Sequence, residues 1–221
     1  MPTVLVTGGG RGIGAAVCSR FAREGYTLVA PTRAELDFRD TAAVDAFANS
    51  PAARAADVLV NNVGINRPAA LEAIDRTELR EHLDVNVVGA VLLVRSVGAA
   101  MARRGGGRIV NIGSVYGSVA RRGRAMYTAT KAALEGLTKS AALEFGNGGV
   151  LVNAVCPGFI DTELTRRNNT PHQIEALLAN VPLGRLGTVE EVAELVFYLG
   201  SARNTYVTGQ SIAIDGGFLV Q

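Results

Sequence analysis

Short blocks rich in Val, Leu and Ile recur along the chain, separated by stretches whose apolar residues return at helical spacing. Blocks at 4–6, 27–30, 36–38, 108–112, 150–155 and 208–214 predict strands, and 57–64 predicts a strand running into a polar turn. Most are apolar throughout rather than alternating, the pattern of strands covered on both faces of a parallel sheet. Ile13, Val17 and Phe21 fall on one helical stripe that Gly25 can stop. A short helix is expected from Thr41 to Asn49, and a long one from Asp75 as N-cap through Leu79 and Leu83 to about Arg104. A small-residue run reaching Ala141 predicts a helix from Ala125. Thr188-Val-Glu-Glu191 is a capping-box pattern for a helix carrying Val192, Leu195, Val196 and Leu199. This alternation predicts one α/β domain over 1–221: a doubly wound, Rossmann-like parallel sheet in three layers, α/β/α. The link between 27–30 and 36–38 is very short, so one helix of the alternation is expected to be missing there. Residues at about 161–187 break the rhythm, with Pro171 and Pro182; they read as a substrate lid or as an ordinary surface excursion.

Composition narrows the function classes. A 221-residue chain with 48% hydrophobic residues can bury a substantial core as one domain. A net charge of +2 gives no global argument for nucleic acid or an anionic membrane. Cys18 and Cys156 sit in apolar surroundings and suggest no disulfide framework, and His82 and His172 add no ligand-like spacing, so no metal is expected. No apolar run approaches the ~20 residues needed to span a bilayer, and Met1-Pro-Thr leads straight into Val4. A soluble, cytoplasmic protein is the default expectation.

Candidate chemistry begins at Thr7-Gly-Gly-Gly-Arg-Gly-Ile-Gly14, between the first strand and the first helix. Glycines there let backbone approach phosphate oxygens, and the helix N-terminus offers free N–H donors. A merely tight turn is the alternative, and the spacing Gly8-xxx-Gly12-x-Gly14 departs from Gly-x-Gly-xx-Gly. The second strand ends in Pro31-Thr32-Arg33, with no acid at the position where a carboxylate would bond a ribose 2′-hydroxyl. Arg33, with Arg11 in the loop, suits a 2′-phosphate, which favours NADP(H) over NAD(H); two ordinary surface arginines are the competing reading, and Glu35 lies close by. Asp37 is placed to meet the adenine. The turn after 57–60, Asn61-Asn-Val-Gly64, is expected to line the cleft at the carboxyl edge of the sheet.

Tyr127 and Lys131, four apart on a helix, share one face. A neighbouring ammonium favours phenolate and suits the tyrosine to general acid/base work, although such pairs are common on exposed helices. Ser114 follows the strand at 108–112 and faces the cleft. Asn86 sits amid apolar neighbours, where a hydrogen bond to local backbone would account for it. Arg121, Arg122 and Arg124, with Arg166 and Arg167, could attract a carboxylate, a phosphate or an acidic carrier protein, but solvated surface charge is the favoured reading.

Taken together, Thr7–Gly14, Asn61–Gly64, Asn86, Ser114, Tyr127-xxx-Lys131, Pro157-Gly158, Thr208-Gly-Gln and Asp215-Gly-Gly217 resemble the short-chain dehydrogenase/reductase family in its compact single-domain branch. Pro182-Leu-Gly-Arg-Leu-Gly187 is similar to the bacterial 3-oxoacyl-[acyl-carrier-protein] reductases. Two departures are visible: Asn-Asn-Val-Gly replaces the usual Asn-Asn-Ala-Gly, and the link after the second strand is cut down. The resemblance implies that Tyr127 donates a proton to a carbonyl, that Lys131 bonds the nicotinamide ribose and depresses the tyrosine pKa, and that Ser114 polarises the carbonyl. It implies that Asn86 holds a water in a distorted helix, connecting Lys131 to solvent. It extends the cofactor-binding set to Gly8, Gly10, Arg11, Gly12, Ile13, Gly14, Arg33, Asp37, Phe38, Asn62, Gly64, Tyr127, Lys131, Pro157, Gly158, Ile160 and Thr162. The implied activity is NADPH-dependent reduction of a ketone or β-keto carbonyl, with 3-oxoacyl thioesters on an acyl carrier protein among the candidates. The alternatives are an alcohol or sugar dehydrogenase working oxidatively, and a non-catalytic NADP(H)-sensing protein. A dimer or tetramer is also implied, with Ala132, Ala133, Gly136, Ala141 and Ala142 allowing close helix approach or packing internally.

Overall fold

The computed structural model describes residues 1–220. Strands β1 (Thr3–Val6), β2 (Thr27–Val29), β3 (Val58–Asn61), β4 (Gly107–Ile112), β5 (Val150–Pro157) and β6 (Ser211–Ile214) form one parallel sheet in the order β2-β1-β3-β4-β5-β6. Helices α1 (Gly12–Arg23) and α10 (Val189–Gly200) cover one face, where Val17, Phe21, Val192 and Val196 pack on Val4, Val6, Val60 and Val110. The other face carries α2 (Thr41–Ala48), α3 (Pro51–Arg54), α4 (Arg76–Leu83), α5 (Gly89–Leu93), α6 (Ala99–Arg103) and α7 (Ala125–Phe145) over a second core that includes Leu5, Leu59, Leu93, Met101 and Ile109. Helices α8 (Glu163–Asn168) and α9 (Pro171–Leu178) lie in the excursion between β5 and α10. Because β2 and β3 flank β1 on opposite sides, the crevice at the carboxyl ends of β1 and β3 is the topological switch point where such sheets bind ligands.

Residues 36–38 are not a strand. Leu36-Asp-Phe38 has the apolar–polar–apolar pattern, but only six residues, 30–35, separate it from β2. A parallel crossover needs a dozen or more. The segment instead turns on Thr32, whose carbonyl accepts from Glu35 and Leu36, and drops Leu36 and Phe38 into the core. Phe38 packs so closely on Gly89 of α5 that a β-carbon there would overlap its ring. The expected missing helix is therefore missing together with its strand, and β2 becomes the sheet edge.

From Arg76 to Arg103 the chain is one 28-residue helix, with α4, α5 and α6 joined by π-helical turns at Asp84–Val88 and Val94–Gly98. It is long and apolar enough to cross a bilayer, but 61% of its most apolar window is buried inside the protein, as in a core helix. The 161–187 excursion is more regular than its composition suggested. Thr162 caps α8 and Thr170 caps α9 through a capping box, while Pro171 takes the first turn where its missing N–H costs nothing. Its two ends are pinned together: Asp161 N donates to Gly187 O at 2.9 Å, and Gly187 N donates to Phe159 O at 2.9 Å.

Candidate active site

The glycine loop leaves β1 at the switch point and starts α1. Gly8 and Gly12 have φ of 67° and 54°, a left-handed backbone that a side chain would strain. Gly14 touches the Gly8 carbonyl so closely that a β-carbon would overlap it. Arg11, at the N-cap, is extended and its side chain makes no capping bond, so the first-turn N–H groups of α1 are left for a ligand. Above Gly10 the space is open, with no atom within 4 Å of a β-carbon position. An open concavity lined by uncapped N–H groups fits the pyrophosphate of a dinucleotide.

Thr7 ties this loop to the next strand end. Its hydroxyl accepts from Asn62 N at 3.0 Å and Val63 N at 3.2 Å, while the Asn62 side chain donates to Thr7 O and Gly8 O at 3.0 and 3.2 Å. Asn86, 1% exposed in the first π-helical turn, extends the network. Its Oδ1 accepts from Ile65 N at 2.7 Å, and its Nδ2 donates to Ile65 O at 2.9 Å and Thr130 Oγ1 at 3.0 Å. Asn86 thus joins the Asn61–Gly64 turn to α7. Below it, Asn61 Nδ2 donates to Asn111 Oδ1, and Asn111 Nδ2 to Thr138 Oγ1, both at 2.9 Å, holding α7 on β3 and β4.

Tyr127, Lys131 and Ser114 meet above the ends of β4 and β5. Lys131 is 3% exposed; its Nζ donates to Ile112 O at 2.7 Å and stands 5.5 Å from the Tyr127 ring centroid. A β-carbon on Gly64 would lie 3.5 Å from both that Nζ and Asn86 Oδ1, which places the glycine turn directly over the pair. Burial drives the two groups toward their neutral forms: the Lys131 ammonium falls to about 8 and the Tyr127 phenol rises to about 12. Hydrogen bonding to Ser114 and the charge of Arg124 oppose the rise at Tyr127 without reversing it. Against the expectation that Lys131 depresses it, the phenol pKa is raised, because desolvation outweighs the neighbouring charges.

Comparison with known proteins agrees with this geometry. A family model described as enoyl-(acyl carrier protein) reductase matches residues 30–219, and one described as short chain dehydrogenase matches residues 2–44. The chain is 37% identical to acetoacetyl-CoA reductase of Rhizobium meliloti (strain 1021), over 96% of each protein. It is 35% identical to the 3-oxoacyl-[acyl-carrier-protein] reductase FabG of Escherichia coli (strain K12), over 96% of this chain and 95% of that protein. The solved structure of ElxO with NADP bound superposes with a TM-score of 0.91 at 30% identity, covering 100% of this chain and 99% of that one. The chain belongs to the short-chain dehydrogenase/reductase family.

The corner where adenosine is expected is built from exposed charges paired with one another. Arg33 is exposed, with Nε 3.6 Å from Asp37 Oδ2. Asp37 is held mainly by Arg39, whose Nε donates to both carboxylate oxygens at 3.0–3.1 Å and whose backbone N adds another bond. These bonds hold the Asp37 carboxyl well below the usual carboxylate range. The carboxylate expected to meet adenine is thus already clasped, and Arg39 was not singled out from the sequence because its contact depends on the turn at 32–36. Phe38, expected at the cofactor, puts its ring in the core instead. Ile13 packs against the core under α1 and α10, and Ile160 is buried there, so neither presents its side chain to the loop. Arg11 reaches sideways to Glu163 at 2.8 Å, both ends well exposed. Thr162 lies over the loop, its methyl 3.8 Å from a β-carbon position on Gly12. Gly158 is in tight backbone contact with Asp215, after Pro157 at the end of β5.

The basic cluster does not behave as one unit. Arg121 and Arg122 are exposed, and Arg166 pairs with Asp161 at 2.7–2.8 Å. Arg124, read from the sequence as surface charge, is 7% exposed, and its Nη1 donates to Asn66 Oδ1 at 2.8 Å. Sequence reasoning also passed over Tyr116, whose ring stands edge-on to both Tyr127 and Phe159, with Phe218 beyond. These aromatics are far apart in the chain, and only the aligned ends of β4, β5 and β6 bring them together.

Proposed function

We propose that the chain is an NADP(H)-dependent oxidoreductase that reduces a ketone or β-keto carbonyl to a secondary alcohol, with Tyr127 as the proton donor. The observation that carries this is the meeting of Ser114, Tyr127 and Lys131 at strand ends beside an open, uncapped glycine loop. When bound, the nicotinamide cofactor supplies the hydride. The phenol, held protonated by burial throughout the neutral range, is poised to give its proton to a carbonyl oxygen. Ser114 fixes that oxygen by a second hydrogen bond and polarises it. Lys131 and Asn86 hold the floor of the site, and Asn86's π-helical turn is the place for a water that replaces the spent proton. First-turn N–H groups of α1 with Gly8, Gly10, Gly12 and Gly14 would take the pyrophosphate, Arg33 and Arg11 the 2′-phosphate, and Asn62, Gly64, Pro157, Gly158 and Thr162 the nicotinamide side.

The relatives named 3-oxoacyl-[acyl-carrier-protein] and acetoacetyl-CoA reductases support a β-keto carbonyl as substrate. The experiment is NADPH oxidation against β-ketoacyl thioesters, ketones and keto-sugars, beside Tyr127→Phe. Turnover that the substitution leaves unchanged would remove Tyr127 from its role; cofactor binding with no turnover across the panel would favour a sensing protein. The residues around Thr162 to Gly187 act in this reading as a substrate lid. Ala132, Ala133 and Gly136 are exposed on α7, with Leu79, Leu83 and Val91 exposed on the neighbouring long helix, which supports a homo-oligomer through this face. Ala141 and Ala142 pack inside the core and take no part. Light scattering reads the oligomer, and cell fractionation tests the cytoplasmic location that belongs to this proposal.

A further inference from the structure

Arg124 is a buried cation without an anion. The other arginine that is equally buried, Arg20, is satisfied by two carboxylates, Glu24 at 2.7 Å and Glu194 at 2.6 Å. Arg124 has no carboxylate partner among the described residues; its one side-chain bond goes to the neutral Asn66. A guanidinium offers five N–H donors, so most of this group's capacity is unspent. None of its nitrogens is among the sealed, partnerless buried atoms, so its free edge opens to solvent space. Arg124 is the N-cap of α7, one turn before Tyr127 on the same helix, which puts it beside the reacting tyrosine. Burial and the charge of Arg121 push its pKa down, and the phenols of Tyr116 and Tyr127 oppose them.

The adjoining stretch of chain supplies no counter-charge. From Val85 to Leu134 the chain contains no Asp or Glu, while Arg121 and Arg122 stand exposed beside Arg124. The guanidinium is also held in place from three elements. Arg124 immediately precedes α7, Asn66 follows the β3 turn, and Asn168 of α8 donates to Asn66 O at 2.9 Å. Leaving a positioned, largely buried guanidinium without an anion is costly, and a planar carboxylate is the group that best matches its fork.

We propose that Arg124 is the specificity-determining residue of this site, binding a free carboxylate on the carbonyl substrate, so that the preferred substrates are oxo acids rather than neutral ketones or esters. This rests on the carbonyl-reductase reading of Tyr127. Arg121 and Arg122 then steer the anion toward the cleft, an effect that weakens with salt.

The test is the kcat/KM of NADPH oxidation with matched pairs, a series of oxo acids and their methyl esters, in the wild type, Arg124→Gln and Asn66→Asp. The wild type is expected to prefer the acid by about 100-fold, since a site built to pair a charged group rejects the analogue lacking it. Arg124→Gln should collapse that ratio by at least about 30-fold. Asn66→Asp, which keeps the arginine but supplies an internal carboxylate, should collapse it as well. An acid-to-ester ratio near one in the wild type, or a ratio that both variants leave intact, overturns the proposal. If no pair is turned over at all, the reductase reading fails separately. Calorimetric titration of NADPH-loaded protein with the oxo acids then decides: binding lost in Arg124→Gln upholds the carboxylate site, and binding equal in both proteins, or absent from both, overturns it.

Discussion

The two ends of the cleft are built on different principles. At the catalytic end, Asn86, Ser114 and Lys131 are all buried, and Asn86 alone makes three hydrogen bonds that join two segments far apart in sequence. At the adenosine end, Arg11, Arg33 and Arg39 are exposed and are held by ion pairs on the surface. Exposed pairs are worth roughly 0–1 kcal/mol and exchange readily for another anion, whereas a buried polar network tolerates no missing member. The difference matches the role proposed for each end. Proton transfer needs fixed geometry, while a phosphate site needs charge that is available and can let go.

The largest effect should come from the catalytic end. Tyr127→Phe removes the proton donor, and kcat/KM should fall by about 10³-fold while the fluorescence-titrated Kd for NADPH stays within about 2-fold. A comparable loss of cofactor binding would mean that the two ends are coupled after all. Asn86→Leu comes next: it leaves the Ile65 N–H and C=O unpaired and should cost about 3 kcal/mol in a denaturant titration. A cost below about 0.5 kcal/mol would show that the turn holds without it. Arg33→Ala should weaken NADPH by only about 10-fold and leave NADH unchanged. If NADH weakens equally, Arg33 supports the fold of the corner rather than reading a phosphate.

The smallest effect is a pH dependence of stability. Lys131 has a folded pKa of about 8, below the 10.5 of a free lysine, so between those values the unfolded chain binds more protons than the folded one. Stability contributed by this site therefore rises as pH increases from about 8 toward 10.5, where buried Lys131 is neutral but its unfolded counterpart is still charged. Comparing melting temperatures of wild type and Lys131→Met from about pH 7 to 8.5 isolates this contribution. The difference should move in favour of the wild type by a few degrees, roughly what 1 kcal/mol or less produces in a domain of this size. A difference that does not change with pH would mean that Lys131 is not desolvated.

Much of the architecture was legible in local pattern. Apolar strand blocks, the capping box at Thr188 and the stripe Ile13, Val17, Phe21 all rest on short-range periodicity, and each corresponds to an element of the structure. Leu36-Asp-Phe38 misled because a buried turn and a strand can share one apolar–polar pattern; the length of the preceding link held the better information. The glycine loop, Asn86, Ser114, Tyr127 and Lys131 could be picked out because together, in this order, they resemble the motifs of a known family. Arg39, Tyr116 and the burial of Arg124 could not, since each depends on where a turn, a strand end and a loop finish in space.

Local chemistry along the chain was enough to specify a parallel α/β sheet, a phosphate-ready turn and a tyrosine one helical turn from a lysine. Backbone preferences and apolar periodicity act over a few residues, so they are written wherever those residues stand. The protonation of that tyrosine and lysine, the clasping of Asp37 and the stranding of Arg124 without an acid were settled by tertiary packing. Desolvation and charge pairing depend on every atom within several ångströms, and most of those atoms arrive from distant parts of the chain.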